Sequence, residues 1–123
     1  MRIVNAMFSR DLGGIEQAFI NYCKVLHMLG HKVTAVILPN AKVKQYILGL
    51  GDINIIEINN LGNWDQLAKR SLKTIIKQVQ PEIIINHGSR AAMLLEGSSN
   101  LAKNIGVLHN YSVKRFEKMD FLS

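Results

Sequence analysis

Apolar positions follow two rhythms along the chain. Near-continuous apolar runs, rich in β-branched residues, fall at about 2–7 (Ile3-Val4-Asn5-Ala6-Met7), 32–38, 53–58, 82–86 and 105–109, the pattern of strands buried on both faces. Helical spacing takes over between them. Ile15, Ala18, Phe19, Tyr22, Cys23, Leu26 and Leu29 form one stripe that begins after Gly14 and is stopped by Gly30 as a left-handed cap. Val43, Ile47 and Leu48 mark a short helix within Ala41–Leu50. Trp64, Leu67, Ala68, Leu72, Ile75, Ile76 and Val79 mark a long one, with Asn63 as N-cap and Pro81 as its stop. A further helix runs through Ala91, Ala92, Met93, Leu94 and Leu95, capped by Gly88 or Ser89.

Strands alternating with helices predict an α/β fold: a Rossmann-like parallel sheet with helices on both faces, right-handed crossovers and strand order 3-2-1-4-5. Residues 1–123 read as one domain. In that order the first and fourth strands flank the point where the sheet reverses its winding, and ligands bind at the carboxyl ends of strands there. The loops after strands one, four and five carry Gly13-Gly14, Asn86-His87-Gly88 and His109-Asn110. All three are therefore expected to line one crevice.

Two glycines before a helix either let an anion approach unpaired N–H groups at the positive end of the helix dipole or simply make a tight turn. The loop lacks the G-x-G-x-x-G fingerprint of dinucleotide sites, the second strand ends in Pro39-Asn40 rather than an acidic residue, and no Walker loop is present. NAD and P-loop ATPase readings fall away. His87 and His109 either meet a ligand or cap backbone groups. His27 is expected in solvent, and His31, following Gly30, in a structural place. Two crevice histidines without neighbouring Cys, Asp or Glu make no metal site, and no cofactor is expected.

Among 123 residues, 48% are hydrophobic and 20% charged, which is globular composition, and no apolar run nears the length of a spanning helix. The N-terminus opens into a strand without a basic-then-apolar leader, so a cytoplasmic setting is expected. Cys23 is the single cysteine and sits on an apolar stripe, which makes it a packing residue. The net charge of +6 suits anionic partners. No aromatic residues interleave the basic ones, and nucleic acid is not expected. Lys69, Arg70, Lys73 and Lys77 share the outer face of the long helix, either as a solvated face or as a peripheral contact with an anionic inner membrane face.

Leu12-Gly13-Gly14-Ile15-Glu16, Leu29-Gly30-His31-Lys32-Val33, Pro81 to His87 and Val107-Leu108-His109-Asn110, in this order and spacing, resemble the N-terminal half of retaining GT-B glycosyltransferases of family 4, also called group 1. The resemblance implies transfer of a sugar from a nucleotide-sugar donor to a glycan, lipid or small-molecule acceptor, in a bacterial setting such as cell-envelope glycan synthesis. It implies that Gly13 and Gly14 approach the donor diphosphate, that His109 approaches the transferred sugar as the catalytic histidine, and that His87 and Asn110 lie on the acceptor side. The family also carries a second, donor-binding domain with an acidic motif, absent from residues 1–123, so the chain alone is expected to be truncated and inactive. A non-catalytic α/β binding or interaction module is the alternative.

Overall fold

The computed structural model describes residues 1–8, 13–58, 65–88, 91, 95 and 102–107. The chain runs β1 (Arg2–Met7), α1 (Gly14–Met28), β2 (Lys32–Ile37), α2 (Val43–Leu48), β3 (Asn54–Glu57), α3 (Asp65–Val79), β4 (Ile83–His87) and β5 (Lys103–Val107). All four strand pairings are parallel, in the order β3-β2-β1-β4-β5. That is the predicted order. β1 and β2 are buried over five of their six residues, because helices cover both faces of the sheet centre.

Side-chain alternation divides the core in two. Val4, Ala6, Val36 and Ile84 face α3, meeting Ala68, Leu72 and Ile76, with Ala91 and Leu95 from a further helical segment. Met7, Val33, Ala35 and Ile37 face the other way, onto Phe19, Ile20 and Cys23 of α1 and Val43 and Ile47 of α2. Each helix contributes one stripe.

The α1 terminus ends as expected from Gly30, whose φ is +88°. Gly30 N–H donates to the His27 carbonyl and His31 N–H to the Leu26 carbonyl, the paired bonds of a Schellman cap. α3 ends similarly: Gln80 takes φ +52°, its N–H bonds the Ile76 carbonyl, and Pro81 prevents continuation.

Several boundaries differ from the sequence reading. β5 is described over Lys103–Val107 and begins two residues before the apolar run, since pairing with β4 from Ile83↔Lys103 takes in Lys103 and Asn104, while Leu108 and His109 lie outside the described residues. α2 is trimmed to six residues. Leu29 and Leu67 sit on their helical stripes yet are 67% and 54% exposed. His27, expected in solvent, is half-buried against the Gly51 turn: a Cβ on Gly51 would lie 2.6 Å from His27 Nε2, and Gly51 has φ +135°. Asn63, Trp64 and Ser89 lie outside the described residues.

Candidate functional site

The sheet reverses its winding between β1 and β4, whose carboxyl ends are level because Met7 pairs with His87. α1 starts directly above. Gly13 is its N-cap, with φ −151° and ψ −155°, and its carbonyl accepts the first helical bond from Gln17 N–H at 2.9 Å. That extended backbone is open to any residue, and the one atom near a Cβ placed there would be Glu16 Oε1 at 3.0 Å, the end of a flexible side chain. Gly14 opens the helix and is not among the residues of positive φ.

Gly88 ends β4. Its φ of +88° suits glycine, its N–H donates to the Val107 carbonyl, and a Cβ on it would lie 3.6 Å from Ile15 Cδ1. The α1 N-terminus and the end of β4 are thus neighbours, as the strand order requires.

His87 lies beneath this junction rather than on its surface, being 2% exposed. Its ring meets Phe19 and Tyr22 edge to face, with centroids at 5.5 and 4.9 Å. Asn5 holds it from β1. Asn5 Nδ2 donates to the Phe19 carbonyl and to Cys23 Sγ, both at 3.2 Å, which turns Oδ1 toward His87 Nε2 at 2.7 Å. An amide oxygen only accepts, so this network assigns a proton to Nε2. Asn86, on the opposite face of β4, donates to Asn104 Oδ1 at 3.4 Å, and its own Oδ1 lies 3.3 Å from where a Cβ on Gly106 would sit. A glycine at 106 gives that side chain room.

Of the site residues expected from sequence, Gly13, Gly14 and His87 are therefore brought to one end of the sheet. His109 and Asn110 follow β5 by two and three residues and lie outside the described residues. The sequence reading missed Asn5 and Glu16. Asn5 had a signal, being the single polar residue inside the Ile3–Met7 run, where burial obliges a polar group to find partners. Glu16 had one too, an acidic residue three positions past the N-cap.

Burial pushes the Cys23 thiol up to about 11 from its ordinary 9.0, with the Asn5 hydrogen bond pulling weakly the other way. We expect a thiol reagent at pH 8 to modify the folded chain at least 100-fold more slowly than the unfolded chain. Modification at the free-thiol rate would contradict this burial. Because the unfolded thiol ionises first, unfolding releases a proton between pH 9 and 11. Through that window Cys23 lowers stability with rising pH, by at most about 1.4 kcal/mol per unit.

A separate groove of about 480 Å³, lined by Lys32, Lys44, Leu48, Asp52 and Asn54 among others, runs beside edge strand β3. Gly13, Gly14 and His87 are not among its lining residues. The 3.5 Å ion pair Lys44–Glu57 on its wall is solvent-exposed and adds little. No described helix is long and apolar enough to cross a membrane.

No protein-family model and no curated protein matches the chain. Among solved structures, it is similar to the crystal structure of a glycosyltransferase from Rickettsia africae ESF-5, with TM-score 0.68 and 23% identity over 95% of this chain. The likeness is one of fold. The chain spans about a third of that protein, 32% of its length.

Proposed function

We propose that this chain is the N-terminal, acceptor-side domain of a retaining GT-B glycosyltransferase of the family 4 type, acting with a C-terminal donor-binding domain in the same or a separate polypeptide. The observation that carries the reading is the juxtaposition of the α1 N-terminus with the end of β4 at the switch point, in a fold shared with part of a glycosyltransferase. Gly13 and Gly14 bring backbone close to the donor diphosphate, where the helix dipole favours negative charge on the departing nucleotide. His109 contacts the transferred sugar, and Asn110 the acceptor. His87 serves the acceptor side from below, bracing the β4 end through Asn5, Phe19 and Tyr22.

Transfer requires both domains to close on the donor, because positioning supplies much of the lowering of the barrier. The chain alone is expected to release no nucleoside diphosphate from nucleotide-sugars, and addition or fusion of its donor-binding domain is expected to restore transfer. In the active assembly, His109→Ala is expected to lower kcat at least ~10-fold while nucleotide affinity stays within about threefold. Gly14→Val is expected to cost activity far more than stability, since its φ is not positive. Lys73→Ala, on the exposed face of α3, is the control. A kcat for His109→Ala within about threefold of the parent would refute its role.

A further inference from the structure

A second groove, of about 380 Å³, opens where β1 and β2 begin, at the other end of β1 from the Met7↔His87 pair. Its polar lining is Arg2, Lys32, Thr34, Asn54 and Gln78, its other two lining residues are apolar, and no acidic residue lines it. Register explains why four of these meet. Arg2 pairs with Lys32 and Thr34 with Asn54, so all four side chains leave the sheet on the face that packs against α3, and Gln78 joins them from the last turn of that helix.

Two observations separate this groove from an ordinary solvated surface. Arg2 and Lys32 are like charges held side by side on neighbouring strands, which is destabilising, and neither has an ion-pair partner among the described residues. Asp52 and Glu57 line only the adjoining groove beside β3, which shares Lys32, Thr34 and Asn54. Thr34 is the second observation: it is 4% exposed and lines both grooves, yet its hydroxyl bonds no described residue. A hydroxyl so far withdrawn from water ordinarily has a partner. Arg2 is also held in place, its Nε donating to the Gln80 carbonyl at 2.7 Å, which leaves its two terminal nitrogens for a ligand. The carbonyl end of α3 thus accounts for Arg2, but not for Lys32, which bonds none of its carbonyls.

We propose that this groove binds a phosphomonoester on a small hydroxylated carrier, a sugar phosphate by chemical class. Two cations suit a dianion with three terminal oxygens better than a carboxylate with one charge and two oxygens. The Thr34 hydroxyl and the Asn54 and Gln78 amides each donate and accept, which suits hydroxyl groups on the carrier. The site shares no residue with the Gly13-Gly14 turn and does not rest on the donor-diphosphate reading.

The test follows the Thr34 and Asn54 amides of the full ¹⁵N-labelled chain at fixed ionic strength, with glucose 6-phosphate, inorganic phosphate and glucose as probes. Both phosphates are expected to move these amides, glucose 6-phosphate binding about fivefold tighter or more, and glucose at the same concentration is expected to leave them in place. Lys32→Gln is expected to weaken glucose 6-phosphate binding by about fivefold or more, and Lys32→Arg to keep it within about threefold. Lys73→Gln removes the same charge from the exposed face of α3 and is expected to change nothing. Thr34→Val is expected to weaken binding by about threefold while the denaturation midpoint holds or rises, since the hydroxyl it deletes has no partner in the free chain. Vesicles of phosphatidate, the same phosphomonoester on a lipid, are expected not to compete. Amides unmoved by either phosphate, or equal losses in Lys32→Gln and Lys73→Gln, would overturn the site. Glucose 6-phosphate no tighter than inorganic phosphate, or displaced by the vesicles, would overturn the soluble sugar carrier. A lowered midpoint in Thr34→Val would overturn the unpartnered hydroxyl.

Discussion

Phe19→Ala is expected to destabilise the chain by about 3–5 kcal/mol, the cost of truncating a fully buried aromatic whose cavity cannot collapse between a sheet and a helix. Phe19 is 0% exposed, packs with Met7, Ile20 and Cys23 under α1, and gives the His87 ring one of its two edge-to-face neighbours. Removing it strips packing from the core and from the support of the β4 end together. Chemical denaturation should show a lower midpoint at unchanged slope. A loss under about 1 kcal/mol would mean that α1 is not held to the sheet through this residue.

Asn5→Ala is expected to cost about 2–4 kcal/mol, although it deletes only a small side chain. Asn5 is 0% exposed and is the polar link between β1, β4 and α1. Its removal leaves the His87 Nε2–H buried without its acceptor, and orphaning a buried donor costs about 1–3 kcal/mol beyond the packing lost. The cost should be coupled rather than additive. In a double-mutant cycle with His87→Ala, the pair should fall short of the sum of the singles by about 1 kcal/mol or more. Strict additivity would show that Asn5 and His87 contribute independently.

Much of the fold could be read before any coordinates. Strand order followed from alternation, because parallel strands joined by right-handed crossovers leave few arrangements. The capping glycine at 30 and the stop at Pro81 acted locally, through φ and a missing N–H, and local causes are visible in local sequence. The start of β5 was not local: Lys103 and Asn104 carry no strand signal and are strand because β4 pairs with them. His27 is a similar case, since its environment is set by Gly51, 24 positions away in the sequence.

The site divides along the same line. Sequence alone determined that Gly13-Gly14 would precede a helix and that His87 would end a strand at the switch point, since both follow from periodicity and order of elements. Tertiary structure alone decided what those residues touch. The Met7↔His87 register puts the imidazole under α1, where Phe19, Tyr22 and Asn5 enclose it, and the winding of α1 turns Glu16 back over Gly13. Contacts between residues 82 positions apart depend on register, and a one-residue slip would send His87 to the opposite face. Periodicity identifies which faces are apolar; only the packed sheet decides which polar groups meet between them.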